Sequence, residues 1–123
     1  MGKITISTLD KMKAADEKFV CITAYDATFS RLISDTGAEI ILVGDSLGMV
    51  LQGHDSTIPV TIADMAYHTE SVCRANPRSL VIADMPFMSY NTGIRDAIIN
   101  AGRLMKEGGC DVVKLEGGVD LAP

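Results

Sequence analysis

Short apolar runs alternate along this chain with longer stretches in which apolar residues recur every three or four positions. The runs are Phe19-Val20-Cys21-Ile22-Thr23-Ala24, Glu39 to Val43, Leu80-Val81-Ile82-Ala83 and Val112-Val113-Lys114-Leu115. They are nearly continuous rather than alternating, which predicts strands with cover on both faces. The periodic stretches predict amphipathic helices. Ile4 to Glu17 is expected to form a short helix with Ile6, Leu9 and Met12 to Ala15 on its apolar stripe and Thr5 or Ser7 as cap. Asp26 is expected to cap a second helix, with Phe29, Leu32 and Ile33 on one face and Gly37 at its end. Thr61-Ile62-Ala63-Asp64 has the form of a capping box. Ile62, Met65, Ala66, Thr69, Val72 and Cys73 then keep helical spacing to about Asn76, before Pro77. A last helix, Thr92 to Lys106, carries Ile94, Ala97, Ile98, Ala101, Leu104 and Met105 as its expected inward stripe and stops at Gly108-Gly109.

Strands and helices in this order predict an α/β fold: a parallel sheet covered by helices. With 123 residues, 47% of them hydrophobic, the chain is long enough for a single domain, residues 1–123, with a core of its own. It is too short for a complete eight-fold α/β barrel, which takes about 250 residues.

One stretch breaks the rhythm. Gly44 to Pro59 is predicted as a loop, and it is long for a link in such a unit, where about 2–6 residues are usual. It contains Gly44-Asp45-Ser46-Leu47-Gly48-Met49 and Gln52-Gly53-His54-Asp55-Ser56-Thr57.

The candidate chemistry lies at the strand ends. Asp26, Asp45, Asp84 and Glu116 each stand at or just past the carboxyl end of a predicted strand. In a parallel sheet those ends share one edge, where such folds place their sites. Asp26 has a helix to cap. Asp45, Asp84 and Glu116 have none directly after them. Converging carboxylates repel each other unless a cation stands between them. Hard oxygen donors without nearby cysteine or histidine suit Mg²⁺. Lys114 lies two residues before Glu116, on the same strand face, and offers a positive charge to an anionic substrate. The plainer reading is that these acids are solvated or bonded to backbone amides. Ser46 reads equally as a turn hydroxyl or a ligand contact. His54 reads as a loop histidine held by hydrogen bonds rather than a general base, His68 as structural, and Met85-Pro86-Phe87-Met88 as pocket wall or packing.

Composition narrows the partners. The net charge is -5 and Lys and Arg are scattered, which argues against nucleic acid. No apolar run approaches the ~20 residues of a membrane span, and no leader pattern opens the chain, so a soluble cytoplasmic protein is expected. Cys21, Cys73 and Cys110 are odd in number and widely spaced, and read as small buried thiols rather than disulfides or zinc ligands. Gly44-Asp45-Ser46-Leu47 also spells the motif of a serine hydrolase family. The Asp-x-x-His partner of that motif is not matched by Asp64-Met65-Ala66-Tyr67-His68, which is one residue too long, and a serine without a placed base is not activated.

Five segments together resemble the ketopantoate hydroxymethyltransferase family: Ile22 to Asp26, Leu42 to Met49, Gln52 to Thr57, Ala83 to Met88 and Val113 to Gly118. The resemblance runs through nearly the whole chain. It implies a (β/α)8 TIM barrel of the phosphoenolpyruvate/isocitrate-lyase type, of which this chain would be the N-terminal half, about the first four βα units. It implies a cytoplasmic homo-oligomer. It also implies hydroxymethyl transfer from 5,10-methylenetetrahydrofolate to 3-methyl-2-oxobutanoate through a Mg²⁺-stabilised enolate, giving 2-dehydropantoate in pantothenate biosynthesis. The Mg²⁺ ligands would fall on Asp45, Asp84 and Glu116, and the keto-acid contacts on Asp45, Ser46, Asp84 and Lys114. The proton-abstracting glutamate of the family belongs to its other half, so no catalytic base is assigned here. The 123-residue chain alone is expected to bind metal weakly, to be inactive, and to aggregate, pair with another half or stay partly molten. The alternatives are another Mg²⁺-dependent keto-acid lyase or mutase of the same superfamily, or a non-catalytic fragment.

Overall fold

The computed structural model describes residues 2–121; Met1, Ala122 and Pro123, part of the expected span 1–123, lie outside the described residues. Strands β1 (Cys21–Thr23), β2 (Ile40–Val43), β3 (Leu80–Asp84) and β4 (Val112–Lys114) form one sheet in the order β1-β2-β3-β4. Every neighbouring pair is parallel. The helices are α1 (Ile6–Ala14), α2 (Ala27–Asp35), α3 (Leu47–Val50), α4 (Ile62–Arg74) and α5 (Ile94–Lys106), with a 3₁₀ turn at Val119–Leu121.

Local chemistry sets the helix starts. Thr5 caps α1 and pairs reciprocally with Thr8, Asp26 accepts from the Phe29 N–H at 2.8 Å, and Thr61 and Asp64 close the expected capping box on α4. The predicted 44–59 loop is not all loop: Leu47–Val50 forms a helical turn, because the fully buried Leu47 anchors it to the core.

The pleat then sorts the strand residues into two faces. Ile41, Val43, Val81 and Ala83 lie on one face and join Leu47, Val60, Met65, Val72 and Leu104 in a single core beneath α2, α4 and α5. The opposite face carries Leu42, Ile82 and Val112, all only half-buried. The expectation of two covered faces therefore holds for one face only among the described residues.

Several expected core positions also turn outward. α1 buries nothing; Ile6 is exposed, and the N-terminal segment is held instead by the buried Ile4, whose N–H donates to Arg78 O at 2.8 Å. α2 packs through the buried Ser30, whose Oγ donates to Val72 O at 2.9 Å, so Phe29 and Leu32 are left exposed. In α5 only Leu104 is buried, and Ile94, Ile98 and Met105 are exposed. The stripe that meets the core is Ala101 and Leu104; Ile94, Ala97 and Ile98 instead wall a groove of about 530 Å³ with Tyr90, Leu115 and Leu121. The three cysteines are free, but only Cys110 is buried; Cys73 is half-buried and Cys21 is exposed on the edge strand. Burial pushes the Cys73 thiol up to about 11 and the Cys110 thiol up to about 12. No helix among the described residues is long and apolar enough to cross a membrane.

Helix α5 ends where the chain passes close to α4. A Cβ on Gly108 would lie 2.5 Å from the Leu104 carbonyl oxygen and 2.8 Å from Thr69 Cγ2, whereas one on Gly102 would meet nothing within 4 Å. Gly108→Ala is expected to lower the stability of the chain by ~1–3 kcal/mol through overpacking. Gly102→Ala is expected to raise it by about 0.5–1 kcal/mol through helix propensity. Urea midpoints of the two variants, moving in opposite directions from the parent, check this.

Candidate active site

β3 extends through Asp84, so this acid is the last residue of the strand and stands opposite Lys114 of β4 in the register. Asp84 is 6% exposed. A buried carboxylate is tolerable only with charge and hydrogen-bond partners, and Asp84 has both. Lys114 Nζ donates to its Oδ1 at 2.8 Å, and the Asp45 backbone N–H donates to its Oδ2 at 3.2 Å. The same ammonium donates to Glu116 Oε1 at 3.0 Å, as the period-2 placement on one face anticipates. Burial pulls the Lys114 ammonium down, but hydrogen bonds and charges from Asp84 and Glu116 outweigh it and hold its pKa above the ordinary lysine value. Glu116 is itself fixed through its backbone: its N–H donates to Tyr90 Oη at 3.2 Å, and its carbonyl accepts from that hydroxyl at 2.8 Å.

Asp45 lies on the same edge, after β2. Its carboxyl is pushed up, first by burial and then by the negative charges of Asp84 and Glu116, against the pull of Lys114 and a hydrogen bond from Thr57. Ser46 follows and occupies the N-cap position of α3. Its side chain makes no cap hydrogen bond; Oγ lies instead 3.0 Å from Tyr25 Oη. Gly44 makes this convergence possible. A Cβ there would stand 3.1 Å from Ser46 Oγ, 3.5 Å from Asp84 Oδ2 and 3.8 Å from Tyr25 Oη. The residue just after β2 is thus crowded by three oxygens, and glycine there lets them approach where a side chain would press on Ser46. A neighbouring hollow of about 230 Å³ is lined by Thr23, Ala24, Tyr25, Asp26, Phe29 and Leu51.

The structure therefore brings together Asp45, Ser46, Asp84, Lys114 and Glu116. It adds Tyr25 and Thr57, which the sequence reading did not single out. Tyr25 carried a usable signal, since it stands at the same strand end as Asp26; Thr57 carried none beyond its place in the long loop. Asp26 stays a helix cap. His54 is exposed and tied to the loop by its backbone, with its N–H donating to Gly48 O at 2.9 Å. His68 Nδ1 lies 2.9 Å from Tyr25 O and braces that residue from α4. The recorded partner of Ser46 Oγ is a phenol, not the imidazole a serine hydrolase needs. Met85 is buried in the core, while Phe87 and Met88 are exposed beside Ile58.

Among the described residues no three His, Cys, Asp or Glu side chains stand close enough together to enclose a metal ion. An ammonium, not a gap, separates Asp84 from Glu116. The donor set nonetheless fits Mg²⁺, an ion that takes one or two carboxylates and completes its shell with water and substrate. Three acids share one ammonium, and the pKa of Asp45 is raised first by burial and then by the charges of Asp84 and Glu116. The sign of its effect on stability follows. An acid whose folded pKa lies above its unfolded value stabilises the fold below the unfolded pKa, and that contribution is lost as pH rises through the folded pKa. Asp45→Asn is therefore expected to raise the thermal midpoint of the metal-free chain at pH 7, with the gain over the parent fading as pH falls through the raised pKa and gone below about 4, the ordinary aspartate value. Thermal scans across that range check the sign.

A sequence model described as ketopantoate hydroxymethyltransferase matches residues 3–123. A 3-methyl-2-oxobutanoate hydroxymethyltransferase of Geobacter sulfurreducens is 58% identical over 117 residues, covering 95% of this chain and 44% of that protein. Proteins of the same name from Desulfotalea psychrophila and Carboxydothermus hydrogenoformans are 56% and 52% identical, over 97% and 99% of this chain. The chain spans less than half the length of these curated relatives. The crystal structure of 2,3-dimethylmalate lyase, a PEP mutase/isocitrate lyase superfamily member, superposes with a TM-score of 0.68 at 19% identity, over 97% of this chain and 41% of that one. That likeness shows the fold: a parallel α/β sheet equivalent to four successive βα units of the superfamily's TIM barrel. With a family model matching almost from end to end and relatives above half identity, this chain belongs to the ketopantoate hydroxymethyltransferase family.

Proposed function

We propose that this chain contributes the keto-acid and metal side of an active site that transfers a hydroxymethyl group to 3-methyl-2-oxobutanoate. In this reading the donor is 5,10-methylenetetrahydrofolate, the product is 2-dehydropantoate of the pantothenate pathway, and the protein works in the cytoplasm as a homo-oligomer. The observation that carries the reading is the bridge from buried Asp84 through Lys114 to Glu116, with Asp45 and Ser46 beside it next to Gly44.

Each residue has a task its geometry suits. Asp84 holds the Lys114 ammonium at the strand end, so that the charge is placed before substrate arrives. Lys114 meets the carboxylate of the keto acid and offsets its repulsion by the three acids. Ser46 donates a hydrogen bond to a substrate oxygen, and Gly44, without a side chain, lets Ser46 and Asp84 stand close to the strand end. Asp45 and Asp84, with Glu116 at their side, would hold Mg²⁺, which supplies polarisation of the keto carbonyl and so acidifies the C3 hydrogen. C3 loses its proton and bonds to the methylene carbon, whose two C–N bonds to the folate break; water supplies the hydroxyl, and the two folate nitrogens take up the C3 proton and the remaining proton of the water. No catalytic base is assigned within this chain, because its site acids are committed to cations. A lyase or mutase of the same superfamily would use the same sheet edge; the family match across residues 3–123 favours the transferase.

The test uses this chain continued by the C-terminal part of the Geobacter sulfurreducens relative. Asp84→Asn and Lys114→Met are each expected to lower kcat/KM for hydroxymethyl transfer about 100-fold, or ~2.7 kcal/mol of barrier. Chelation of divalent cations is expected to abolish turnover. Transfer that survives either substitution within about tenfold would remove these residues from the site.

A further inference from the structure

We infer that Tyr25 is a positioning residue: its phenol holds the Ser46 hydroxyl in the one orientation from which it can donate to an anionic 2-keto acid. The inference rests on the proposed keto-acid site and adds a residue to it. Three observations converge. Ser46 precedes α3 with helical backbone angles, which leave its hydroxyl free of any cap bond, and its Oγ lies 3.0 Å from Tyr25 Oη. Left to itself a serine hydroxyl rotates freely, so a fixed partner decides where its proton points. Second, the pair is aimed at the site: Ser46 Oγ, Tyr25 Oη and Asp84 Oδ2 all lie within 4 Å of the Cβ position that Gly44 leaves empty. Third, Tyr25 is itself held on both sides. Its carbonyl meets His68 Nδ1 at 2.9 Å, and the next residue, Asp26, is locked as the cap of α2.

The roles within the pair follow from the ligand. Asp84, ionised by its pairing with Lys114, is an acceptor on the same side of Gly44 as the serine. When an anionic oxygen enters, Ser46 donates to it, and its own oxygen then accepts from Tyr25 Oη. Hydrogen bonds in series of this kind strengthen one another. Without the phenol, the serine proton has alternative directions, Asp84 among them, and the orientation must be selected at the moment of binding.

A double-mutant cycle separates this from simple packing. The chain continued by the C-terminal part of the Geobacter sulfurreducens relative is titrated with 3-methyl-2-oxobutanoate in the presence of Mg²⁺, as the parent, Tyr25→Phe, Ser46→Ala and the double variant. Tyr25→Phe is expected to weaken keto-acid binding about tenfold, or ~1.4 kcal/mol, at an unchanged ligand-free thermal midpoint. Once Ser46 is alanine, the same change is expected to cost less than about twofold. Independent, multiplicative losses, or no loss from Tyr25→Phe, overturn the inference while leaving the keto-acid site intact. A parent chain that does not bind the keto acid overturns the site itself and this inference with it. If Tyr25→Phe fails to fold, 3-fluorotyrosine placed at position 25 serves instead: its more acidic phenol donates more strongly and must tighten binding, and an unchanged affinity overturns the assignment.

Discussion

A carboxylate taken out of water needs a counter-charge close by. At the carboxyl edge of this sheet the counter-charge of Asp84 is Lys114, 2.8 Å away on the neighbouring strand. Much of the local geometry depends on that pair. It matches the last residue of β3 with the last residue of β4, and it holds the ammonium within reach of Glu116. It leaves the second oxygen of Asp84 to receive the Asp45 N–H, which pins the turn out of β2. A single ion pair thereby links the ends of three strands. The charge arithmetic stays unbalanced, with three acids to one ammonium, and an unbalanced site of this kind is suited to receiving a cation and an anionic substrate together.

The rest of the fold gives that pair a rigid footing. The helix-covered face of the sheet is packed from Ile41 to Leu104 with almost no exposure, so the strand ends are held by a core that cannot shift without loss. The other face is half-open, and it is the face on which Asp84 and Lys114 lie with Leu42, Ile82 and Val112. Cys21 on β1 turns the same way. Its thiol is pushed up by burial and then by the charge of Asp84, and is pulled down by Lys114. A barrel interior has this character, with apolar residues below and charged groups at the mouth.

Strand order, helix caps and the edge on which the acids collect were all legible in the residues. Caps are local: Thr5, Asp26 and Thr61 reach a backbone N–H three residues away, and sequence spacing alone defines the contact. The shared edge was legible because the parallel alternation of strand and helix sends every carboxyl end the same way. The helix at Leu47–Val50 was not legible, since it consists of one apolar turn secured by burial rather than by periodicity. The inward stripes of α2 and α5 were misplaced for a related reason. Periodicity says that apolar residues share a side, but the small Ser30 and Ala101 decide where a helix can approach its neighbour closely.

The sequence by itself determined which residues carry charge to the sheet edge and which family they announce, because both depend on identity and spacing along the chain. Only the tertiary structure decided how those residues are used. It made Lys114 a bridge between Asp84 and Glu116, set Ser46 against Tyr25, and made Gly44 the point where their oxygens and Asp84 crowd together. The contacts Tyr25–Ser46, Asp84–Lys114 and Asp45–Asp84 join residues 21, 30 and 39 positions apart, and they follow from how strands β1 to β4 pack side by side.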